Sequence, residues 1–90
     1  MYITSGVQEV MANNESFSKF VYNSLIRFRK KDWGDTCEEG LPLNEAAVES
    51  GERILAVYKL PATRELTDQT IWIIMEYGHR ETTILFPSEY

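Results

Sequence analysis

The stretch Thr70-Ile71-Trp72-Ile73-Ile74-Met75-Glu76-Tyr77 contains five large apolar residues in succession. β-branched and aromatic side chains favour extended backbone, and a run this continuous is typical of a strand that is covered on at least part of both faces. The stretch is therefore predicted to be the central strand of a sheet.

The segments on either side are predicted to pair with this strand. Residues 53–60 form a first strand, which the polar residues 61–69 end. After the central strand, Gly78-His79-Arg80-Glu81 is a tight turn into a third strand at residues 82–86. Pro87 ends that strand because proline has no N–H to pair. Residues 53–90 are thus predicted to be a three-stranded antiparallel meander.

Before this sheet the apolar residues recur every three to four positions, as they do on one face of a helix. Thr4 or Ser5 caps a short first helix, Asn13-Asn14 breaks it, and Asn14 caps a second helix over residues 15–30. One buried stripe is predicted along the second helix, at Phe17, Phe20, Val21, Ser24, Leu25 and Phe28.

A loop is predicted at residues 32–42, which contain two glycines and a proline. Asn44 then offers an N-cap for a third helix over residues 45–50, and Gly51 offers the left-handed conformation in which helices often end. All 90 residues are expected to form one α+β domain, with N-terminal helices packed on one face of the three-stranded antiparallel sheet.

The composition narrows the class of protein. A hydrophobic share of 43% is typical of a folded chain, and Cys37 is the only cysteine, so no internal disulfide is possible and a reducing compartment is expected. The first residues do not resemble a signal peptide, and the apolar stretches are too short to span a bilayer. We expect a cytoplasmic protein that has no membrane partner.

Basic and acidic residues are concentrated in two adjacent parts of the chain. Residues 32–52, called the acidic segment below, contain seven carboxylates and no Lys, Arg or His. The four cations just before it, called the basic cluster, are Arg27, Arg29, Lys30 and Lys31. The net charge of −5 disfavours stable binding of free nucleic acid and favours a basic partner, such as the nucleic-acid-binding groove of another protein.

Two interpretations of the acidic segment remain open. It is either a solvated surface that keeps the protein soluble, or a mimic of phosphates that occupies an Arg/Lys groove. Under the second interpretation the partner-binding residues are Asp32, Trp33, Asp35, Glu38, Glu39, Glu45 and Glu49. Trp33 either closes the core beneath the loop or is an exposed anchor, and in both cases it fixes the path of the loop.

The basic cluster also has two interpretations. Cations at the end of a helix are stabilised by the helix dipole, which is sufficient reason for their presence. Alternatively, Arg27, Arg29, Lys30 and Lys31 are a nucleic-acid-binding site that contacts phosphates.

The chemistry-bearing residues do not predict an enzyme. Asp32, Asp35, Glu38 and Glu39 lack the spacing of an EF-hand and any support from His or Cys, so we expect no metal and no other cofactor. His79 is expected to be exposed and idle. Cys37 lies beside Glu38 and Glu39 and is expected to have no catalytic role.

An edge of the predicted sheet offers a further route to a partner. The strand at residues 82–86 is predicted to have unpaired backbone groups, and a homodimer formed through it is one hypothesis.

Residues of the loop and the strands resemble a known family. The matching residues are Asp32-Trp33-Gly34-Asp35, Asn44, Gly51-Glu52-Arg53-Ile54-Leu55, Tyr58, Ile71-Trp72-Ile73-Ile74, Glu76, Arg80, Thr82-Thr83-Ile84-Leu85-Phe86-Pro87 and Glu89-Tyr90. In these residues the chain resembles small uncharacterised proteins, often labelled only as plasmid-related, that plasmids, phages and integrative elements of Gram-positive bacteria carry. It departs from their pattern at Met75 and at Tyr77-Gly78-His79.

The resemblance implies an accessory protein of a mobile element, and the residues themselves predict that it is not an enzyme. Small acidic proteins of that origin often resemble anti-defence factors, including anti-CRISPR proteins. The expected function is inhibition of a host nucleic-acid-directed defence complex through the acidic segment. The alternative is a transcription or replication accessory protein that contacts DNA through the basic cluster.

Overall fold

The computed structural model describes residues 1–62 and 69–90, and these residues form an α+β fold. Its elements in chain order are β1 (Tyr2–Ile3), α1 (Ser5–Asn13), α2 (Glu15–Arg29), α3 (Gly40–Ser50), β2 (Ile54–Leu60), β3 (Gln69–Met75), β4 (Thr82–Leu85) and a short 3₁₀ helix (Pro87–Glu89). The polar connection predicted at residues 61–69 falls mainly on residues 63–68, outside the described residues.

The apolar stretch at residues 70–77 forms β3, which lies between β2 and β4 and is antiparallel to both. The prediction of a central strand is therefore confirmed. Trp72 lies opposite Val57 on one side and Leu85 on the other, so one row of large side chains crosses the sheet. Ile71, Ile73 and Ile74 are all buried, as expected for a strand covered on both faces.

The prediction of a three-stranded antiparallel sheet is wrong in one respect. Tyr2–Ile3 adds a fourth strand, β1, parallel to β4, so the sheet is mixed and its order is β1-β4-β3-β2. Beyond the strand, the Thr4 amide donates to the Ile84 carbonyl at 3.1 Å. Two residues are too short to show the alternating pattern of a strand, which is why the sequence did not indicate β1.

The first two helices begin where their capping residues predict. The Thr4 hydroxyl accepts from the Val7 amide at 3.4 Å, and the Asn14 side chain accepts from the Phe17 amide at 2.9 Å. The stripe predicted along α2 faces the core, because Phe17, Val21, Ser24, Leu25 and Phe28 are buried and Phe20 packs against them. Among the described residues, no helix is long and apolar enough to cross a membrane.

The third helix starts earlier than predicted. It begins at Gly40 instead of residue 45, so the predicted loop ends before Pro42. Pro42 lies in the first turn, where backbone N–H groups have no partner within the helix, and it is tolerated there. Asn44 is therefore no N-cap but a buried residue of the helix. Gly51 ends the helix in the left-handed conformation, with φ 78°, as predicted.

The helices cover one face of the sheet. Side chains from this face and from the helices form one core, whose sheet residues include Ile54, Ala56, Tyr58, Ile71, Ile73 and Ile84. On the other face Trp72 packs edge-on against the C-terminal Tyr90 with ring centroids 5.4 Å apart, and the Tyr90 hydroxyl accepts from Arg53 Nη2 at 2.6 Å.

Glu89 joins the two ends of the chain. Its Oε1 accepts from the Phe86 amide at 2.9 Å and from the Thr4 hydroxyl at 2.7 Å, at the start of α1. The hydrogen bond from Phe86 is the main cause that lowers the pKa of the Glu89 carboxyl, and Thr4 and the Gly6 amide act in the same direction. Folding therefore stabilises the charged form of the Glu89 carboxyl relative to its neutral form.

Replacing Glu89 by Gln is expected to lower the free energy of unfolding at pH 7 by about 0.5–1 kcal/mol, because the charge and one acceptor at the α1 N-terminus are lost. The pKa of Glu89 is lowered on folding, so its stabilisation is present above the ordinary pKa of about 4.3 and is lost as the pH falls through the folded value. Urea unfolding at several pH values measures the difference between the two proteins, which should shrink with acid.

The control is Glu9→Gln, which removes an exposed carboxylate that makes no side-chain bond to the described residues. Its stability should match that of the native protein at both ends of the pH range. A Glu89→Gln difference that persists unchanged in acid would show that the carboxylate charge is not what stabilises this contact.

Candidate functional site

The acidic segment begins as a loop, residues 32–36, that runs along the outer edge of β2. We call it the edge loop. Gly34 forms a parallel bridge with Val57, and the Asp35 amide donates to the Val57 carbonyl at 2.7 Å. The Val57 amide in turn donates to the Thr36 hydroxyl at 3.0 Å. The edge loop therefore pairs with β2 almost as a fifth strand would.

Side chains complete this pairing. Asn44 of α3 is 4% exposed, and its amide group donates to the Leu55 carbonyl at 2.9 Å and accepts from the Leu55 amide at 3.3 Å. Asp35 Oδ2 accepts from the Lys59 amide at 2.9 Å. The acidic segment thus forms hydrogen bonds with the outward-facing backbone groups of three alternate residues of β2, Leu55, Val57 and Lys59. These bonds stabilise an edge of the sheet that would otherwise be unpaired.

The end of α2 directs the chain into the edge loop. The Lys31 amide donates to the Phe28 carbonyl at 3.0 Å, and the Asp32 amide donates to the Arg27 carbonyl at 2.9 Å. This is the hydrogen-bond pattern of a Schellman motif, in which the left-handed position is usually glycine. Here that position is Lys31, with φ 65°. Left-handed backbone costs a non-glycine residue about 1–2 kcal/mol.

Asp32 strengthens the same turn. Its carboxylate accepts from Arg27 Nε at 2.9 Å and Nη2 at 3.3 Å, and from the Gly34 amide at 3.0 Å. The hydrogen bond from Arg27, followed by that from Gly34, lowers the pKa of Asp32. The hydrogen bond to Asp32 is the main cause that raises the pKa of Arg27, although burial opposes it.

Tyr58 holds the edge loop from the core side. Its side chain is fully buried, and its hydroxyl donates to the Asp32 carbonyl at 2.7 Å. Burial is the main cause that raises the pKa of the Tyr58 phenol, so it remains a donor at neutral pH. The Arg27 guanidinium carbon lies 5.4 Å from the centre of the Tyr58 ring, within the range of a cation–π contact.

Trp33 lies in the core, 5% exposed, with its ring edge-on to Phe28 at a centroid distance of 5.5 Å. Its Nε1–H donates to Glu45 Oε1 at 2.8 Å. Of the two interpretations of Trp33, the structure thus supports the one in which it closes the core. Trp33 also links the edge loop to α3 through Glu45.

The seven predicted partner-binding residues therefore fall into two groups. Trp33, Asp32, Asp35 and Glu45 make internal contacts that position the segment. The carboxylates of Glu38, Glu39 and Glu49 are exposed and make no hydrogen bond or ion pair with any residue in 1–62 or 69–90. The sequence did not separate the two groups, since it does not show which carboxylates have a donor nearby.

The basic cluster is divided in the same way. Arg27 is paired with Asp32, whereas Arg29, Lys30 and Lys31 are exposed and their side chains have no partner within the described part of the chain. Three of the four predicted cations are thus available to a ligand.

The structure adds a groove that the sequence did not indicate, which we call the cationic groove. Its volume is about 230 Å³, and it lies between the end of α2, α3 and the turn that joins β3 to β4. It is lined by Phe28, Arg29, Lys31, Trp33, Val48, Ile54, Met75 and His79. Arg29, Lys31 and Trp33 are among the predicted site residues, but the sequence did not indicate that they share one groove with Val48, Ile54 and Met75.

The prediction that His79 is exposed is wrong, whereas the prediction that it has no catalytic role stays a prediction. His79 is half-buried and lies 2.8 Å through Nε2 from the Glu52 carbonyl, so Nε2 carries the proton of this hydrogen bond. It is held in the left-handed conformation, with φ 54°. The turn is fixed further because the Gly78 amide donates to the Gly51 carbonyl at 2.8 Å. Sequence spacing does not reveal this contact, because it joins residues 27 positions apart.

Other predicted features are located as follows. Cys37 is an exposed free thiol. The described residues contain no group of three or more His, Cys, Asp or Glu side chains that could hold a metal ion. The strand at residues 82–86 is not a free edge, since β1 pairs with β4 on that side. That prediction failed because β1 was not recognised.

The chain matches no family model, no curated protein and no solved structure in the three comparisons with known proteins. The resemblance to plasmid-related proteins remains a prediction based on the residues named above.

Replacing Gly34 by Ala is expected to destabilise the protein by about 2–4 kcal/mol. Gly34 has φ 63°, and a Cβ atom would lie 2.7 Å from the Val57 carbonyl oxygen and would also overlap the Tyr58 ring. Urea unfolding measures the change.

Gly51→Ala is the matched control, because Gly51 also has a positive φ, 78°, but a Cβ atom there would have nothing within 4 Å. This substitution should lower the free energy of unfolding by only about 1 kcal/mol, because alanine is less favourable than glycine in the left-handed conformation. Equal losses from the two substitutions would mean that the edge loop is not packed tightly against β2.

Proposed function

We propose that this protein is a non-enzymatic accessory protein of a mobile genetic element, which binds and inhibits a nucleic-acid-directed defence complex of its bacterial host. The contact surface consists of the three predicted residues whose carboxylates are free, Glu38, Glu39 and Glu49. The observation that supports this proposal best is that these side chains have no internal partner although the segment that carries them is firmly anchored.

Anchoring matters because it reduces the entropy that binding would cost. Glu38 and Glu39 precede α3, and Glu49 lies near its end. The helix between them is attached to β2 through Asn44 and to Trp33 through Glu45. The carboxylates therefore sit on a preorganised backbone, and less conformational freedom is lost when a partner binds them.

Free carboxylates on an anchored backbone are suited to a groove that otherwise binds phosphates. Such a groove presents Arg and Lys side chains, so attraction to the acidic segment speeds association and weakens as salt screens it. The acidic net charge of −5 acts in the same direction. The resemblance to plasmid-related proteins supports the assignment to a mobile element and, by analogy, to an anti-defence role.

The test is a plasmid-interference assay in a Gram-positive host with an active RNA-guided defence system. Expression of the native protein should raise the number of transformants obtained with a targeted plasmid by at least roughly tenfold, and Glu38→Lys/Glu39→Lys should abolish the gain because it reverses charge at the contact surface. Glu45 is left unchanged, since its substitution would also release Trp33.

The matched control is Glu9→Lys/Glu15→Lys, which changes the net charge equally at exposed positions of α1 and α2. It should retain inhibition. If both variants inhibit equally well, the acidic segment is a solvated surface and the proposal is wrong; if both fail equally, only net charge matters and no specific surface exists.

A second candidate function is supported by the free cations Arg29, Lys30 and Lys31. In this case the protein contacts DNA as a transcription or replication accessory protein. A mobility-shift assay at low salt separates the two functions. The inhibitor should leave duplex DNA unshifted, whereas the accessory protein should shift it and lose the shift when Arg29 and Lys30 are replaced by Gln, since each phosphate contact adds to affinity.

A further inference from the structure

The size and lining of the cationic groove suit one large side chain of a partner protein. Its floor is apolar, formed by residues such as Phe28, Trp33, Ile54 and Met75, and its volume is about 230 Å³. This is below the range of roughly 300–1,000 Å³ that pockets for drug-sized ligands occupy. A pocket of this size, lined by an aromatic pair, is typical of the anchor sites in which a partner protein buries a single large residue.

Two residues of its rim are held in an unfavourable backbone conformation. Among the described residues, Lys31 and His79 are the two non-glycine residues with a positive φ, and both line this groove. Glycine would adopt the left-handed conformation at either position at a lower cost in free energy. Strained residues of this kind gather at binding sites, where the side chain serves a purpose that the backbone alone does not require.

Charge on the rim identifies the kind of partner. Arg29 and Lys31 are exposed, and neither side chain has a bond to another residue of the described ranges. They stand over an apolar floor on a protein whose net charge is −5. A positively charged rim around an apolar anchor site complements an acidic segment that carries one large apolar residue.

We propose that the cationic groove binds an acidic segment of a partner protein. One aromatic or large aliphatic side chain of that segment enters the groove between Phe28 and Met75, while carboxylates on either side pair with Arg29 and Lys31. This function is separate from the acidic surface described above, and the two contacts involve opposite charges, so either can fail without the other.

The probe is a short fluorescein-labelled peptide with one phenylalanine between two glutamates on each side, titrated into the full-length protein. Binding should saturate below about 1 mM and perturb the amide resonances of residues 28–33 and 79. A peptide with alanine in place of phenylalanine should bind at least roughly fivefold more weakly, because the groove floor stays unfilled. Glutamine in place of the glutamates should weaken binding as well, because the rim stays unpaired.

Two variants separate function from structure. Lys31→Gly removes a rim cation and relieves the left-handed strain, so it should raise the melting temperature and still weaken peptide binding at least roughly fivefold. Lys30→Gln removes the same charge one position earlier, outside the groove lining, and should change the affinity less than about twofold. A stabilised variant that binds less cannot have lost affinity by misfolding.

Four results would overturn the proposal. The first is the absence of saturable binding up to about 1 mM peptide. The second is equal weakening by Lys31→Gly and Lys30→Gln, which would indicate a diffuse charge effect. The third is perturbation of the same resonances by raising the protein concentration without peptide, which would assign the groove to a second copy of this chain. The fourth is their perturbation by duplex DNA but not by the peptide, which would assign it to nucleic acid.

Discussion

The outer edge of β2 is the constraint on which the rest of this structure depends. Unpaired N–H and C=O groups on a strand edge are costly when water is excluded and invite pairing with other chains when it is not. The described residues contain no further strand that pairs there. Instead, Asp35 and Thr36 bond to Val57, and Asn44 bonds to both backbone groups of Leu55. The acidic segment is therefore part of the sheet.

Part of the acidic charge in the sequence therefore has a structural role. The carboxylate of Asp32 accepts from the Arg27 side chain, that of Asp35 from the Lys59 amide and that of Glu45 from the Trp33 ring, so three carboxylates of the segment stabilise the fold. The remaining carboxylates gain a rigid support from the same bonds. Trp33 belongs both to the acidic segment and to the cationic groove, since its ring lines the groove while its N–H donates to Glu45.

The two ends of the chain close the opposite side of the sheet. β1 covers β4, Glu89 binds Thr4, and Tyr90 packs on Trp72. Both edges of the sheet are consequently occupied, one by a two-residue strand and the other by a loop with a helix behind it. In the described residues, few backbone groups on either edge are therefore left to extend the sheet.

The sequence by itself determined the elements whose signals are local. Thr4 and Asn14 begin their helices, the stripe from Phe17 to Phe28 faces the core, and the apolar run in β3 lies in the centre, because capping and periodicity are encoded within a few neighbouring residues. Only the tertiary structure decided the role of Asn44, the start of α3, the presence of β1 and the separation of free from bonded carboxylates. These features depend largely on hydrogen bonds between residues distant in the sequence, such as Asn44 to Leu55, Tyr58 to Asp32 and Thr4 to Ile84. No local pattern specifies which distant donor will meet which acceptor.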